Sequence, residues 1–341
     1  MSMWQSSRSN VIMALLTVGV ASGCDASGSV LTGPTGGSNS GTGGSVSGGD
    51  SGTAATNSGG GPAAGGGGAG GSPTGGVAAT GGAATGGAPP CQPGTQIGTT
   101  SSGTFFAMSY PQLSPFYVFN NGWSAASTSS LTNAGTLENI SAYETCTPGT
   151  ISWSTTYNWT GANNTVKGYP AAVLGWHNYG TKGWVNSSSV TGLPKAISAL
   201  GSVKCSWAFD VSGGASQNIS FDIWVHNGTC SSTAITASTT PSDEVMIWLY
   251  SSGGVVPIGG KTSTVNVSGS SWDLYSGSGN GFQVHSFVRP SSTSAVTNLD
   301  VLAFLNNLNL GSKCLSSIEA GTEVFTGSGT LKTNSYTCTV Q

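Results

Sequence analysis

From about residue 91 onward, hydrophobic and polar positions alternate in short runs separated by Gly, Asn, Ser and Pro. The runs fall at 104–109, 115–119, 150–159, 203–212, 217–226, 244–250, 264–268 and 281–288. β-branched and aromatic residues in such runs, at turn spacing, predict an all-β, two-sheet antiparallel sandwich. Helical periodicity occurs once, at 298–309, where Val301, Leu302, Leu305 and Leu308 mark one face. Thr297 or Asn298 is the expected N-cap. One β domain over 91–341 with one short helix is therefore expected.

The most informative run is Asp243-Glu-Val-Met-Ile-Trp-Leu-Tyr250. Side chains on a strand alternate between faces. Val245, Ile247 and Leu249 then form a core face, while Glu244, Met246 and Trp248 share the other: a carboxylate, a soft hydrophobe and a large aromatic. That second face suits the floor of a sugar cleft. By itself the octapeptide equally fits a half-exposed strand whose acid aids solubility.

The N-terminal 90 residues have another texture. Arg8 followed by the mostly apolar Val11–Val20 reads as an export signal over 1–24. The apolar run is too short for a membrane span, which needs roughly 20 residues. Ala21-Ser22-Gly23-Cys24 resembles a bacterial lipobox, which would make Cys24 the lipidated mature N-terminus. Ordinary signal-peptidase cleavage near the same small residues is the alternative. Residues 25–90 are Gly, Ser, Thr and Ala with scattered Pro. They lack the apolar surface to offset ordering entropy and read as a disordered tether. A coil of this length reaches ~40–50 Å. The domains expected are thus signal 1–24, linker 25–90 and β domain 91–341, in a protein anchored at the cell envelope or secreted.

Removing Cys24 from the seven cysteines leaves an even set: Cys91, Cys146, Cys205, Cys230, Cys314 and Cys338. In an exported chain these read as disulfides. Sequential pairing (91–146, 205–230, 314–338) needs the least reorganisation.

Composition narrows the partners. Only 6% of the 341 residues are charged, 12 acidic against 9 basic, for a net charge of −3. Nucleic acid requires clustered cations, and a polyanionic substrate would also want them. A neutral ligand held by aromatic faces and hydrogen bonds fits better. His177, His226 and His285 show no paired metal-ligand spacing, so neither a metal nor a cofactor is expected. The glycine runs follow no strand and open no helix, so they form no dinucleotide fingerprint. The chain is expected to be a monomer.

At Asp243–Tyr250 followed by Gly253-Gly-Val-Val-Pro-Ile-Gly259, the chain resembles glycoside hydrolase family 12, with its E-[LIV]-M-I-W strand and G-x-x-P-I-G turn. Further resemblances follow in the family's order: Phe119-Asn-Asn-Gly-Trp123, Trp159, Val166-Lys-Gly-Tyr-Pro170, Phe221-Asp-Ile-Trp224, Trp272-Asp-Leu-Tyr275, Val284-His-Ser-Phe-Val288 and Ala320-Gly-Thr-Glu-Val-Phe-Thr-Gly327. Tyr157 stands where a tryptophan is usual, Gly168 for Ser and Val324 for Pro. The resemblance implies a jelly roll with a concave cleft and endo-acting, retaining hydrolysis of β-1,4-glucans. It makes Glu244 the nucleophile and Glu323 the acid/base.

Retention needs two carboxyl groups with different tasks, one ionised and one protonated. The domain holds ten acids, and each of the two chosen lies near an aromatic, Trp248 or Phe325. Asp222, on a face with Trp224 and His226, is expected to orient and tune Glu244, with Met246 packing beneath the sugar. Asp243 points to the opposite face and reads as structural. Asn121 and Trp123 resemble a substrate platform, Trp248 and Phe325 are further candidate contacts, and Trp176 and Trp184 fit no motif. Two alternatives remain: a family 11 xylanase, whose nucleophile precedes tyrosines rather than Met-Ile-Trp, and a non-catalytic carbohydrate-binding jelly roll.

Overall fold

The computed structural model describes residues 91–99, 106–108, 113–121, 137–175, 191–235, 239–279 and 281–341. The expected signal, Cys24, the tether, Trp123, Trp176 and Trp184 lie outside them.

Two sheets face each other. In order, the first comprises β1 (Gln96–Thr99), β4 (Leu137–Tyr143), β5 (Ile151–Trp159), the C-terminal half of β15 (Cys314–Val340), β8 (Val203–Gly213) and β14 (Ala295–Asp300). The second runs β2 (Phe106–Met108), β3 (Phe116–Asn120), β6 (Ala171–Gly175), the N-terminal half of β15, β9 (Ser216–His226), β10 (Asp243–Ser252), β13 (Phe282–Val288), β12 (Ser270–Gly279) and β11 (Gly260–Val267). The two-residue β7 (Lys195–Ala196) pairs with the start of β15.

The 27-residue β15 belongs to both sheets. It leaves one for the other near Gly327, whose φ of 94° favours glycine. A Cβ there would meet Ala215 Cα at 3.0 Å. The sequence pattern gave no hint of a strand this long, because a strand that changes sheets also changes which parity faces the core.

Alternation places the core as expected. Val245, Ile247 and Leu249 of β10 and Phe221, Ile223 and Val225 of β9 are buried against Trp207 and Phe209 of β8 and Trp153 of β5. Trp207 and Phe221 meet across the sandwich with ring centroids 5.3 Å apart. Each buried side chain of this size contributes about 1.5–3 kcal/mol, so the hydrophobic face of β10 holds the opposite face in place.

The helix differs from expectation. It is the short α1 (Val301–Asn307), capped by Asp300, whose side chain accepts from Ala303 N. The preceding strand pairs with β8 through Ala295, Val296, Leu299 and Asp300, with Thr297 and Asn298 in an irregularity between, so neither of these two caps the helix. Phe304, outside the four residues that marked the face, packs edge-on to Trp272 and Phe287 at 5.1 and 4.9 Å.

The disulfides are Cys91–Cys146, Cys205–Cys338 and Cys230–Cys314. Two of the three expected pairs, 205–230 and 314–338, are therefore corrected. The reason is β15: the last strand enters the middle of both sheets, so Cys338 lies in register with Cys205 of β8 and Cys314 with His226, close before Cys230.

Asp243 is buried at the core-side end of β10, as a structural acid should be. It accepts from Ser242 Oγ at 2.7 Å, meets His285 Nε2 of β13 at 3.3 Å and pairs with Lys313, just before β15. Burial works to raise its pKa, but the hydrogen bonds from His285, Lys313 and Ser242 prevail and hold it at about 2. These contacts tie three elements beside Glu244.

Two predictions follow from this architecture. Non-reducing peptide mapping should recover Cys205–Cys338 and Cys230–Cys314; sequential links would contradict the sheet order. Asp243→Asn should destabilise the domain by about 1–2 kcal/mol at neutral pH. Because the folded pKa is depressed, this contribution is present above about pH 4 and lost as pH falls towards 2, so the deficit measured by urea denaturation should shrink in acid. A deficit independent of pH would refute the ionic origin.

Candidate active site

The outer face of the second sheet carries four acids on three neighbouring strands. Asp222 lies on β9, Glu244 on β10, and Glu319 and Glu323 on β15. Register aligns Met246, Asp222 and Glu319 across the three strands, with Glu244 opposite Trp224 and Glu323 opposite Asn218. All these positions have the parity opposite to the core residues, so one face collects them.

Burial separates the four acids. Asp222 and Glu319 are 4% and 0% exposed, whereas Glu244 and Glu323 are only partly buried. The two acids expected to act on substrate are thus the two that reach the surface.

Small residues and hydrogen bonds fix the neighbourhood. Gly321 sits between Glu319 and Glu323 on their face, and a Cβ there would lie 2.6 Å from Pro170 O and 2.9 Å from Tyr169 Cζ. Glycine lets the Tyr169-Pro170 segment close over β15. Tyr169 donates to Ser220 O at 2.9 Å. The Asn218 side-chain amide donates to Glu323 Oε2, and Asn218 Oδ1 accepts from Ser220 Oγ at 3.0 Å.

Electrostatics follow from this geometry. Burial pushes Glu323 up to about 7, against the Asn218 hydrogen bond, which favours its charged form. Burial raises Glu319 too, opposed by Ser317. Asp222 is raised well above the usual carboxylate range, first by burial and then by the charges of Glu319 and Glu323. Glu244 is raised by burial, then by Asp222, Glu323 and Glu319 in that order. Carboxyls gathered this closely do not all ionise together, and they titrate as a group. Tyr169 feels the same negative field on top of its burial, and its pKa rises.

The other expected contacts are less open. Trp248 is 2% exposed and donates its indole N–H to Met246 Sδ at 3.4 Å. Met246 and Phe325 are 3% and 6% exposed, and Asn121 is fully buried with its backbone carbonyl accepting from Tyr169 N at 2.7 Å. These residues build the floor more than a bare stacking surface. An irregularity between Val324 and Thr326 breaks the alternation just after Glu323.

Three residues near the acids were not anticipated: Asn218, Glu319 and the Tyr169 hydroxyl. The first two were legible in principle. Asn218 lies four positions before Asp222 and Glu319 four before Glu323, both even spacings that keep a strand face.

The family model described as glycosyl hydrolase family 12 matches residues 114–341. A probable xyloglucan-specific endo-β-1,4-glucanase A of Aspergillus terreus is 32% identical over 235 residues, covering 66% of this chain and 82% of that protein. An inactive glycoside hydrolase of Phytophthora nicotianae is 29% identical over 236 residues, covering 66% and 86%. Among solved structures, the family 12 xyloglucanase of Bacillus licheniformis aligns with a TM-score of 0.57 at 28% identity, over 72% of this chain and all of that one. With a family match across two-thirds of its length, on a two-sheet fold with paired acids on one face, this chain belongs to glycoside hydrolase family 12.

Proposed function

We propose that the chain is a retaining endo-β-1,4-glucanase with Glu244 as nucleophile and Glu323 as acid/base. One observation carries the reading: of four acids on one sheet face, Glu244 and Glu323 are the two that reach the surface, and burial holds Glu323 near 7. An acid of that pKa is protonated when it must donate and can return as base at working pH. Since a family member can be inactive, the presence of both acids matters more than the family match.

The reaction then runs in two halves. Glu244 attacks the anomeric carbon while Glu323 protonates the departing glycosidic oxygen, giving a glycosyl-enzyme ester. Glu323, now a carboxylate, draws a proton from water as that water displaces Glu244. The acid-lined floor favours the positive charge that develops on the sugar ring between these states. Asp222, next to Met246 in register, orients and tunes Glu244.

The substrate is a neutral β-1,4-glucan backbone, of cellulose, mixed-linkage glucan or xyloglucan. The names of the relatives from Aspergillus terreus and Bacillus licheniformis favour xyloglucan. Asn121, Trp123, Trp248 and Phe325 are the proposed contacts or supports of the sugar. Residues 1–24 are proposed as the export signal, Cys24 as the lipid attachment point and 25–90 as the tether of a monomeric catalytic domain.

Glu244→Gln should abolish turnover on every β-glucan. Glu323→Ala should keep activity on aryl glycosides with good leaving groups, and azide should rescue it to a β-glycosyl azide, read by NMR. An α-azide from Glu323→Ala would reverse the roles. In the wild type, kcat/KM should fall as pH rises through about 7, as Glu323 loses its proton; activity undiminished well above that pH would contradict its role as acid.

For the anchor, Cys24→Ser should move the protein from the membrane fraction to the soluble one. Unchanged partitioning would sink the lipid attachment.

A further inference from the structure

Resting on the retaining mechanism above, we propose that Glu319 is a positioning residue of the reaction: it shares one proton with Asp222, so that the charge carried by this buried pair sets how readily Glu244 ionises. The register makes the pair. Glu319 lies directly opposite Asp222 on the adjacent strand, and Asp222 lies opposite Met246 on the strand of Glu244. The three acids therefore step across the sheet from β15 through β9 to β10.

Both members of the pair are cut off from water, at 0% and 4% exposed. Two adjacent buried carboxyls do not both ionise, since each charge raises the cost of the other. Hydrogen bonds reach both of them and favour one charge, so the pair carries one proton between two carboxyls.

Those bonds divide between the two members. Ser317 Oγ donates to Glu319 Oε1 at 3.0 Å, and Asp222 accepts from the Trp224 side chain and the Ile223 backbone N–H. Asp222 is one strand from Glu244, and Glu319 two, about 10 Å. The charge of the pair therefore lies within about 10 Å of the nucleophile, where it opposes the ionisation of Glu244.

The groups that act on this pair can be named. From β10 comes Glu244, from β15 Glu323, and from the segment before β6 Tyr169; Tyr336 of β15 feels the Glu319 charge from the core side. His226 shares the β9 face but lies level with Cys314, beyond Trp224. Val173, opposite Glu319 on β6, carries no charge.

The test is the pH profile of kcat/KM for Glu319→Gln and Glu319→Met, beside wild type and Glu244→Gln. Neither replacement can carry charge, so Glu244 should ionise more easily and the acid limb should move down. A unit charge about 10 Å away at an effective dielectric near 20 corresponds to a shift of about one pH unit. The alkaline limb set by Glu323, whose raised pKa comes from burial rather than from Glu319, should stay in place. Methionine needs no hydrogen-bond partner, so it serves should glutamine not fold. An acid limb that stays put in both variants, or two limbs that move together, would overturn the proposal. Activity persisting in Glu244→Gln would instead overturn the mechanism on which it rests.

Discussion

Removal from water sets the behaviour of the carboxyl groups on the cleft face. Burial is the first cause of the raised pKa of Asp222, Glu244, Glu319 and Glu323, and mutual repulsion adds to it for Asp222 and Glu244. A sheet face with one such acid would simply keep it neutral. With four, protons and charges must be distributed: burial keeps the proton on Glu323 up to about 7, while hydrogen bonds from Ser317 to Glu319 and from Trp224 and Ile223 to Asp222 favour charge on that pair. That division of labour is what a two-carboxylate mechanism needs from a protein with few cations to offer.

The distribution depends on β15. Its N-terminal half places Glu319 and Glu323 beside β9, and its C-terminal half lies between β5 and β8 in the other sheet. The strand that presents the acid/base is therefore continuous with the strand that centres the opposing layer. The Cys205–Cys338 bond fastens its far end, and Lys313 with Cys314 fasten its start. Displacing β15 would disturb both the core and the spacing of the acids. At the other side of β9, the Asp243 contacts hold the end of β10 from which Glu244 projects.

Much of this was legible from alternation and motif. The β10 octapeptide showed its two faces because a half-buried strand writes period two into the sequence, and Val245, Ile247 and Leu249 are in the core. Asp222 was found in the same way, with Phe221 and Ile223 marking the other face. Cysteine pairing was not legible, since it depends on which strands are neighbours, and Cys338 meets Cys205 across 133 residues. Glu319 was legible only as a position on the Glu323 face, through its even spacing; its burial opposite Asp222 depends on β15 pairing with β9. The helix start was misplaced because Asn298 and Thr297 look like caps, while they lie in an irregularity of a strand whose pairing with β8 runs on to Asp300.

The account stands on Glu244 carrying a covalent sugar between the two half-reactions. A 2-deoxy-2-fluoro glucan glycoside with a good leaving group slows the second half more than the first, so the ester accumulates. Peptide mass spectrometry of the trapped protein reads which residue bears it. The account predicts one glycosyl group on Glu244, within the peptide around Asp243–Tyr250, and inactivation in step with labelling. A label on Glu323 or Glu319, or an active protein that never accumulates the ester, would contradict it.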